Sequence, residues 1–239
     1  MHTAKGRLPG GLSFVCAAVA VLALAACATP PVEAPAPAPL GEWHGVSLPG
    51  KRPTAYRNEQ HEGRSALAAR ADGSASMWRR RVARASDAIG DVEFSWWVQS
   101  VPALADVSDA DRSDAAARVL FAFGGDTRKL SARNQMLFEL AHALTGEAPP
   151  FATLVYVWDA SAPVGSVIVH PRTDRIRKIV VESGEKGLRQ WRHYRRNLAA
   201  DYRLAFGDAP GALQAVAVMT DGDNTHSQLN TWYGEIEFR

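Results

Sequence analysis

Cysteine is scarce: Cys16 and Cys27 are the only two in 239 residues. Two thiols cannot build a multi-disulfide framework or a four-thiolate zinc site. Excess charge is scarce too. The 27 Lys and Arg face 25 Asp and Glu, a formal net charge of +2. That is too little for the basic footprint of a nucleic-acid binder, so nucleic acid is not an expected partner. No apolar run reaches the roughly 20 residues that span a bilayer as a helix. No repeat of 20–50 residues is present, which argues against a propeller or solenoid. The seven histidines show no His-x-x-x-His or His-Glu-x-x-His spacing, so a catalytic zinc is not expected. A Gly-x-Ser-x-Gly elbow is missing as well. No catalytic residue is nominated and no cofactor is expected. What remains is an ordinary globular composition, 46% hydrophobic and 22% charged.

The first residues read as an address. Lys5 and Arg7 are the only charges before an apolar run at 12–26. A basic start, a short apolar core and small residues at its end make a secretory signal. The run closes on Leu24-Ala25-Ala26-Cys27, which resembles a bacterial lipobox. That resemblance implies a signal peptide over 1–26, cleavage before Cys27 and lipidation of its sulfur. Two or more acyl chains anchor a protein stably where one does not. Ala28 follows the cysteine rather than Asp, which by resemblance to sorted lipoproteins favours the outer membrane, with the domain facing the periplasm. Loss of Lys5 and Arg7 balances the remaining charge, so any anion preference must come from a local patch. It also leaves no free thiol, which excludes cysteine catalysis.

Residues 27–40 read as the lipidated cysteine and a linker. Pro30, Pro31, Pro35, Pro37 and Pro39 alternate mostly with Ala. Such a stretch favours polyproline II at about 3.1 Å per residue, a reach of roughly 35–40 Å.

Residues 41–239 read as a single β-rich domain. Strand character occurs at 64–71, 75–82, 92–101, 117–124, 152–158, 165–170, 176–183, 213–220 and 232–238, separated in many places by Gly, Pro or Asp/Asn clusters. Alternation places Val92, Phe94, Trp96 and Val98 on one face and Glu93, Ser95, Trp97 and Gln99 on the other. The same reading puts Trp232, Ile236 and Phe238 together, opposite Tyr233, Glu235 and Glu237. The run 153–158 is apolar on both faces, which suits a central covered strand. Helical spacing appears at 131–146, with Ser131 as cap and Gly146 as stop, and at 197–206, stopped by Gly207. Both helices read as amphipathic and packed on a sheet. Together this predicts an all-β, two-layer antiparallel β-sandwich, jelly-roll-like, with two short amphipathic helices.

An ordered set of short motifs carries a family resemblance. It comprises Tyr156-Val157-Trp158, then His170-Pro171-Arg172-Thr173-Asp174-Arg175-Ile176-Arg177, then Arg196-Asn197 with Asp201-Tyr202-Arg203 and Phe206-Gly207. It continues with Val218-Met219-Thr220-Asp221-Gly222-Asp223-Asn224-Thr225 and ends with Trp232-Tyr233-Gly234-Glu235-Ile236. The set resembles a bacterial family catalogued as domain of unknown function 3047, over roughly residues 43–238. The resemblance implies a fold and a secreted setting, not a reaction. The pattern is also similar to the jelly-roll sandwiches of carbohydrate-binding modules.

Candidate site residues follow from chemistry. Trp97, with Glu93 and Gln99 beside it, offers an apolar platform with a polar rim, the arrangement sugars use. Asp174, Arg175, Asp221, Asp223 and Asn224 are candidate loop contacts. The turn at Asp221-Gly222-Asp223-Asn224 also fits a plain polar turn, or oxygen ligands for calcium. The pairs Asp91/Glu93 and Glu235/Glu237 each share a strand face, as two glycosidase carboxylates could. Arginines cluster at Arg79-Arg80-Arg81 and at Arg189, Arg192, Arg195 and Arg196, where guanidinium forks could meet anionic glycans or headgroups. The leading expectation is a non-catalytic envelope lipoprotein that binds a glycan at a sheet face. A carboxylate-dependent glycan hydrolase and an assembly lipoprotein that binds another envelope protein are the alternatives.

Overall fold

The computed structural model describes residues 40–239. The expected signal peptide, Cys27 and most of the linker lie outside the described residues. None of the described helices is long and apolar enough to cross a membrane.

The domain is a two-layer sandwich. Its strands are β1 Trp43–Ser47, β2 Ala55–His61, β3 Arg64–Asp72, β4 Ala75–Arg84, β5 Asp91–Val98, β6 Ala115–Phe123, β7 Ala152–Asp159, β8 Val167–Val169, β9 Ile176–Ser183, β10 Trp191–Asn197, β11 Leu213–Asp221, β12 Gln228–Tyr233 and β13 Glu237–Phe238. The helices are α1 Ala132–Thr145, between β6 and β7, and α2 Leu198–Phe206, after β10. A seven-stranded sheet runs β1-β4-β11-β6-β7-β9-β8. A six-stranded sheet runs β10-β5-β12-β3-β2, with β13 also on β5. One pair departs from the antiparallel expectation: β7 and β9 are parallel. A parallel neighbour needs a crossover connection, and residues 160–175 supply it, placing β8 on the far edge of the sheet.

Alternation builds the core. Val119, Phe121 and Phe123 of β6, Leu154, Tyr156 and Trp158 of β7, and Val216 and Val218 of β11 point inward. Val92, Phe94, Trp96 and Val98 of β5 meet them from the other sheet. Phe94 stacks on Tyr156 with centroids 5.5 Å apart. Strand β7 is buried along its whole length, as a strand covered on both sides must be. The second cover is a loop: Val107, between β5 and β6, packs on Val155, Val157 and Val180 outside the seven-stranded sheet.

Both helices start and stop where the sequence indicates. Ser131 and Asn197 cap them by accepting from the backbone N–H of Asn134 and Ala200. Gly146 and Gly207 end them in the left-handed region at φ 71° and 75°, where a side chain is strained. They pack differently. Helix α2 buries Leu198, Tyr202 and Ala205 and is tied in by Asp201, which accepts from Tyr156 Oη at 2.6 Å and from Arg196 at 2.7 and 2.8 Å. Helix α1 is a correction to the expected sheet packing: Met136, Leu140 and Leu144 are exposed, and only Asn134 is buried.

The C-terminal strand is a second correction. The chain breaks between β12 and β13, which moves the two-residue period by one position. Tyr233 therefore faces the core with Ile236 and Phe238, while Trp232 turns to the outside of the six-stranded sheet.

Candidate functional site

The outer face of the seven-stranded sheet holds a cleft of about 440 Å³. Residues whose side chains alternate outward on five neighbouring strands form its floor. Met77, Leu120, Ala122, Val155, Ala217 and Met219 make that floor aliphatic. Among the described residues, no Phe, Tyr or Trp lines it. One end is charged. Arg118 of β6, Lys178 of β9 and Asp221 of β11 are each buried there. Arg118 pairs with Asp221 and donates to the Ser113 carbonyl. The Lys178 ammonium donates to the Val107 carbonyl, which joins the sheet to the overlying loop. Arg79, Arg172, His170 and Lys51 also line the cleft, Lys51 in an ion pair with Asp223.

Three further contacts fix this end. Asp114 accepts from the Thr225 N–H at 2.7 Å, its hydroxyl at 2.6 Å and the Asn224 N–H at 3.2 Å, so it pins the turn that carries Asp223 and Asn224. Asp221 accepts from the Ala115 N–H at 3.0 Å. Asp159 accepts from Ser161 and Ala162 at 2.7 and 2.6 Å and from Val107 at 3.4 Å, which anchors the loop above Lys178.

Burial sets the electrostatics. Removal from water pushes Lys178 down to about 7, and the neighbouring Arg118 adds to the effect. Burial pushes His170 down to about 4, so its imidazole is neutral at pH 7. His170 Nδ1 accepts from the Arg172 N–H at 3.2 Å, which leaves the ring proton on Nε2. Burial raises the Asp221 carboxyl, opposed by Arg118.

Asp114, Asp221 and Asp223 bring carboxylate oxygens within 4.8 Å of one another. Each is already engaged. Arg118 and Lys51 neutralise two of them, and three hydrogen bonds occupy the third. The donor set is therefore that of a braced turn.

The candidate residues from the sequence fall into three places. Asp221, Asp223 and Asn224 line the cleft. Asp174 and Arg175 lie in the β8–β9 connection outside it. Asp174 accepts from Asn134 Nδ2 at 2.6 Å, and Arg175 donates to the Phe151 carbonyl while lying over the Phe151 ring. Glu93, Trp97 and Gln99 belong to the other sheet. Trp97 is 9% exposed, with its ring against His61 at 4.4 Å and Trp232 at 5.0 Å, so it offers no open platform. Gln99 bonds Asn230 at 3.1 Å.

The carboxylate pairs do not converge on the cleft either. Glu93 lies in register opposite Glu237, in a shallow groove of the six-stranded sheet that Glu235 also lines. Arg195 and Arg239 face Glu93 there, at 3.8 and 3.5 Å. Asp221 and Asp223 are on the opposite layer, so the acidic candidates divide between two separate surfaces.

Sequence reasoning passed over Arg118 and Lys178. The signal was present: Arg118 is the one charge in Ala115–Phe123, otherwise wholly apolar. A lone charge inside a buried strand needs a partner or a ligand.

Comparison with curated proteins gives no match. Among solved structures, one that matches is the xyloglucanase domain of NopAA, a type three effector from Sinorhizobium fredii, in complex with cellobiose. It shares 7% identity over 82% of this chain and 96% of that chain, with a TM-score of 0.35. At that score the likeness bears on neither ligand nor chemistry. The family profile described as protein of unknown function (DUF3047) matches residues 41–237, nearly all of the sandwich, and the chain belongs to that family.

Proposed function

We propose that the domain is a non-catalytic binding module of a lipid-anchored envelope protein, and that the outer-face cleft holds its ligand. One observation carries the reading: five basic side chains, Lys51, Arg79, Arg118, Arg172 and Lys178, line an aliphatic cleft, while three carboxylates face them, Asp221 on Arg118, Asp223 on Lys51 and Glu147 on Arg79. The complement is a carboxylate or phosphate on a body with an apolar face. An acidic sugar of an envelope glycan and an acidic lipid both present that chemistry. The absence of rings from the floor favours aliphatic contact over sugar stacking, so both sources enter the test.

Arg172 is exposed, so Arg172→Ala leaves the fold intact. Calorimetric titration would use an oligogalacturonate, a neutral gluco-oligosaccharide and dodecanoate. At least one acidic probe is expected to bind, weakened about tenfold or more by Arg172→Ala, since a charge-assisted bond is worth about 1.5–3 kcal/mol. Absence of binding by both acidic probes at millimolar concentration, or equal binding of the neutral sugar at the cleft, overturns the proposal. The anchor is tested apart: Cys27→Ala should leave the precursor unlipidated, and unchanged detergent partitioning of that variant refutes the lipid anchor.

A further inference from the structure

We propose a second ligand site, for an uncharged sugar, in the groove between the free edges of the two sheets. It does not rest on the cleft. The groove measures about 550 Å³ and lies where β1 and β4 of one sheet overhang β2 and β3 of the other.

Two indoles line one wall. Trp43 stands in register opposite Arg80, and Gly45 opposite Trp78, so all four share the inner face. Gly45 has no side chain to cover the neighbouring indole; a Cβ there would sit 3.4 Å from the Trp78 ring. Both tryptophans remain half-buried. The facing wall is polar. Asn58 and Gln60 alternate on the same side of β2, both exposed, and Gln60 donates to Ser65 Oγ at 2.6 Å. Glu235 stands exposed at the mouth.

This is the chemistry a sugar needs. Its C–H face lies on indole, and its hydroxyls both donate and accept, as the Asn and Gln amides do. One group still lacks a partner. Arg80 lies over Trp43 with its guanidinium carbon 5.1 Å from the ring centroid and donates through Nη2 to the Ile236 carbonyl at 3.3 Å. Its Nε is buried and has no partner among the described residues. A buried donor without an acceptor is costly, and it belongs to a residue that lines the groove. The charge also fits: the lining holds one cation, Arg80, and one anion, Glu235, besides Glu59, whose carboxylate is turned away to Arg57, Arg70 and Trp232. A neutral groove selects a neutral ligand, in contrast to the cationic cleft.

The test is titration of the intact domain with maltotetraose, cellotetraose and fully N-acetylated chitotetraose, read by tryptophan fluorescence and amide NMR shifts. At least one is expected to bind in the millimolar range or tighter. Trp43→Ala and Gln60→Ala should each weaken that binding about tenfold, and Lys178→Met in the cleft should leave it unchanged. Gln60 is exposed, so its variant decides the matter if Trp43→Ala fails to fold. Binding of none of the three sugars, or binding insensitive to Gln60→Ala, overturns the site.

Discussion

Replacing Lys178 by methionine should abolish a specific pH dependence of stability. Lys178 is 3% exposed and lies under the Val107 loop, near the buried Arg118, Asp221 and Asp159. Its usual value of 10.5 falls to about 7 in the folded domain. Between those values the unfolded chain holds a proton that the folded one has shed, so stability rises with pH. Each pH unit in that window is worth about 1.4 kcal/mol. From pH 7 to 9.5 the gain is therefore roughly 3 kcal/mol, or about 6–12 °C in Tm for a domain of this size. Below pH 7 the folded lysine charges too, and the whole cost of about 5 kcal/mol is present. The upper bound at 9.5 keeps tyrosine out. Burial raises Tyr56, Tyr156, Tyr194, Tyr202 and Tyr233, and these begin to lower stability only as the unfolded chain ionises near pH 10. Methionine keeps the stem and removes the charge, at the loss of the bond to the Val107 carbonyl. Urea denaturation of both proteins from pH 6 to 9.5 measures the difference. Lys178→Met should show the shallower rise and exceed the parent at pH 6. Parallel curves would refute the assignment. The same physics bears on function: an anion near Lys178 raises its affinity for a proton, so ligand binding near pH 7.5 should take up protons from the buffer.

Asp221→Asn should cost about 3–5 kcal/mol, because it leaves Arg118 charged and buried without its partner. Arg118→Met with Asp221→Leu should recover most of that loss, and thermal denaturation of the set checks both. Trp97→Ala should cost about 3–5 kcal/mol of stability by emptying the cluster with Trp232 and His61, while leaving oligogalacturonate or dodecanoate titration unchanged; lost binding with intact stability would contradict its placement. Gly222→Ala should weaken cleft binding, since a Cβ there would run into the Ser227 carbonyl and displace the turn that carries Asp223 and Asn224.

Local pattern was enough for much of this fold. Strand β9 spans 176–183 in both readings, and Ser131, Gly146 and Gly207 bound the helices as expected. Alternation also assigned Trp96 and Trp97 to opposite faces correctly. What it could not assign was cover. Trp97 meets Trp232 from β12, His61 from β2 and, in register, Trp191 from β10, three strands distant in sequence. No periodicity within 92–98 contains those partners. Strand β10 hides for another reason. Arg192, His193, Arg195 and Arg196 make it polar, and as the end strand of its sheet it needs no apolar stripe. The cleft itself was half legible. The acidic turn stood out because Asp, Gly and Asn cluster in sequence, whereas Arg118 and Lys178 meet it only through the strand order β11-β6-β7-β9.

The two outer faces of the sandwich show where this chain departs from what stability alone would select. On the six-stranded sheet the outer face closes on itself. Trp97, Trp191 and Trp232 pack over Ala66 and Ala68, the arrangement hydrophobic burial favours. On the seven-stranded sheet the loop through Val107 closes one end in the same way. The floor between is left open, and Arg118, Lys178 and Asp221 are buried beside it. Replacing a buried ion pair by apolar side chains is often neutral or stabilising. Three buried ionisable groups in one layer are therefore a cost that packing does not require. That cost falls at the place where an incoming acidic group could offset it. Perturbed ionisable groups beside an open, preformed cleft favour a ligand site there, which is the ground for proposing it on the seven-stranded sheet rather than at Trp97.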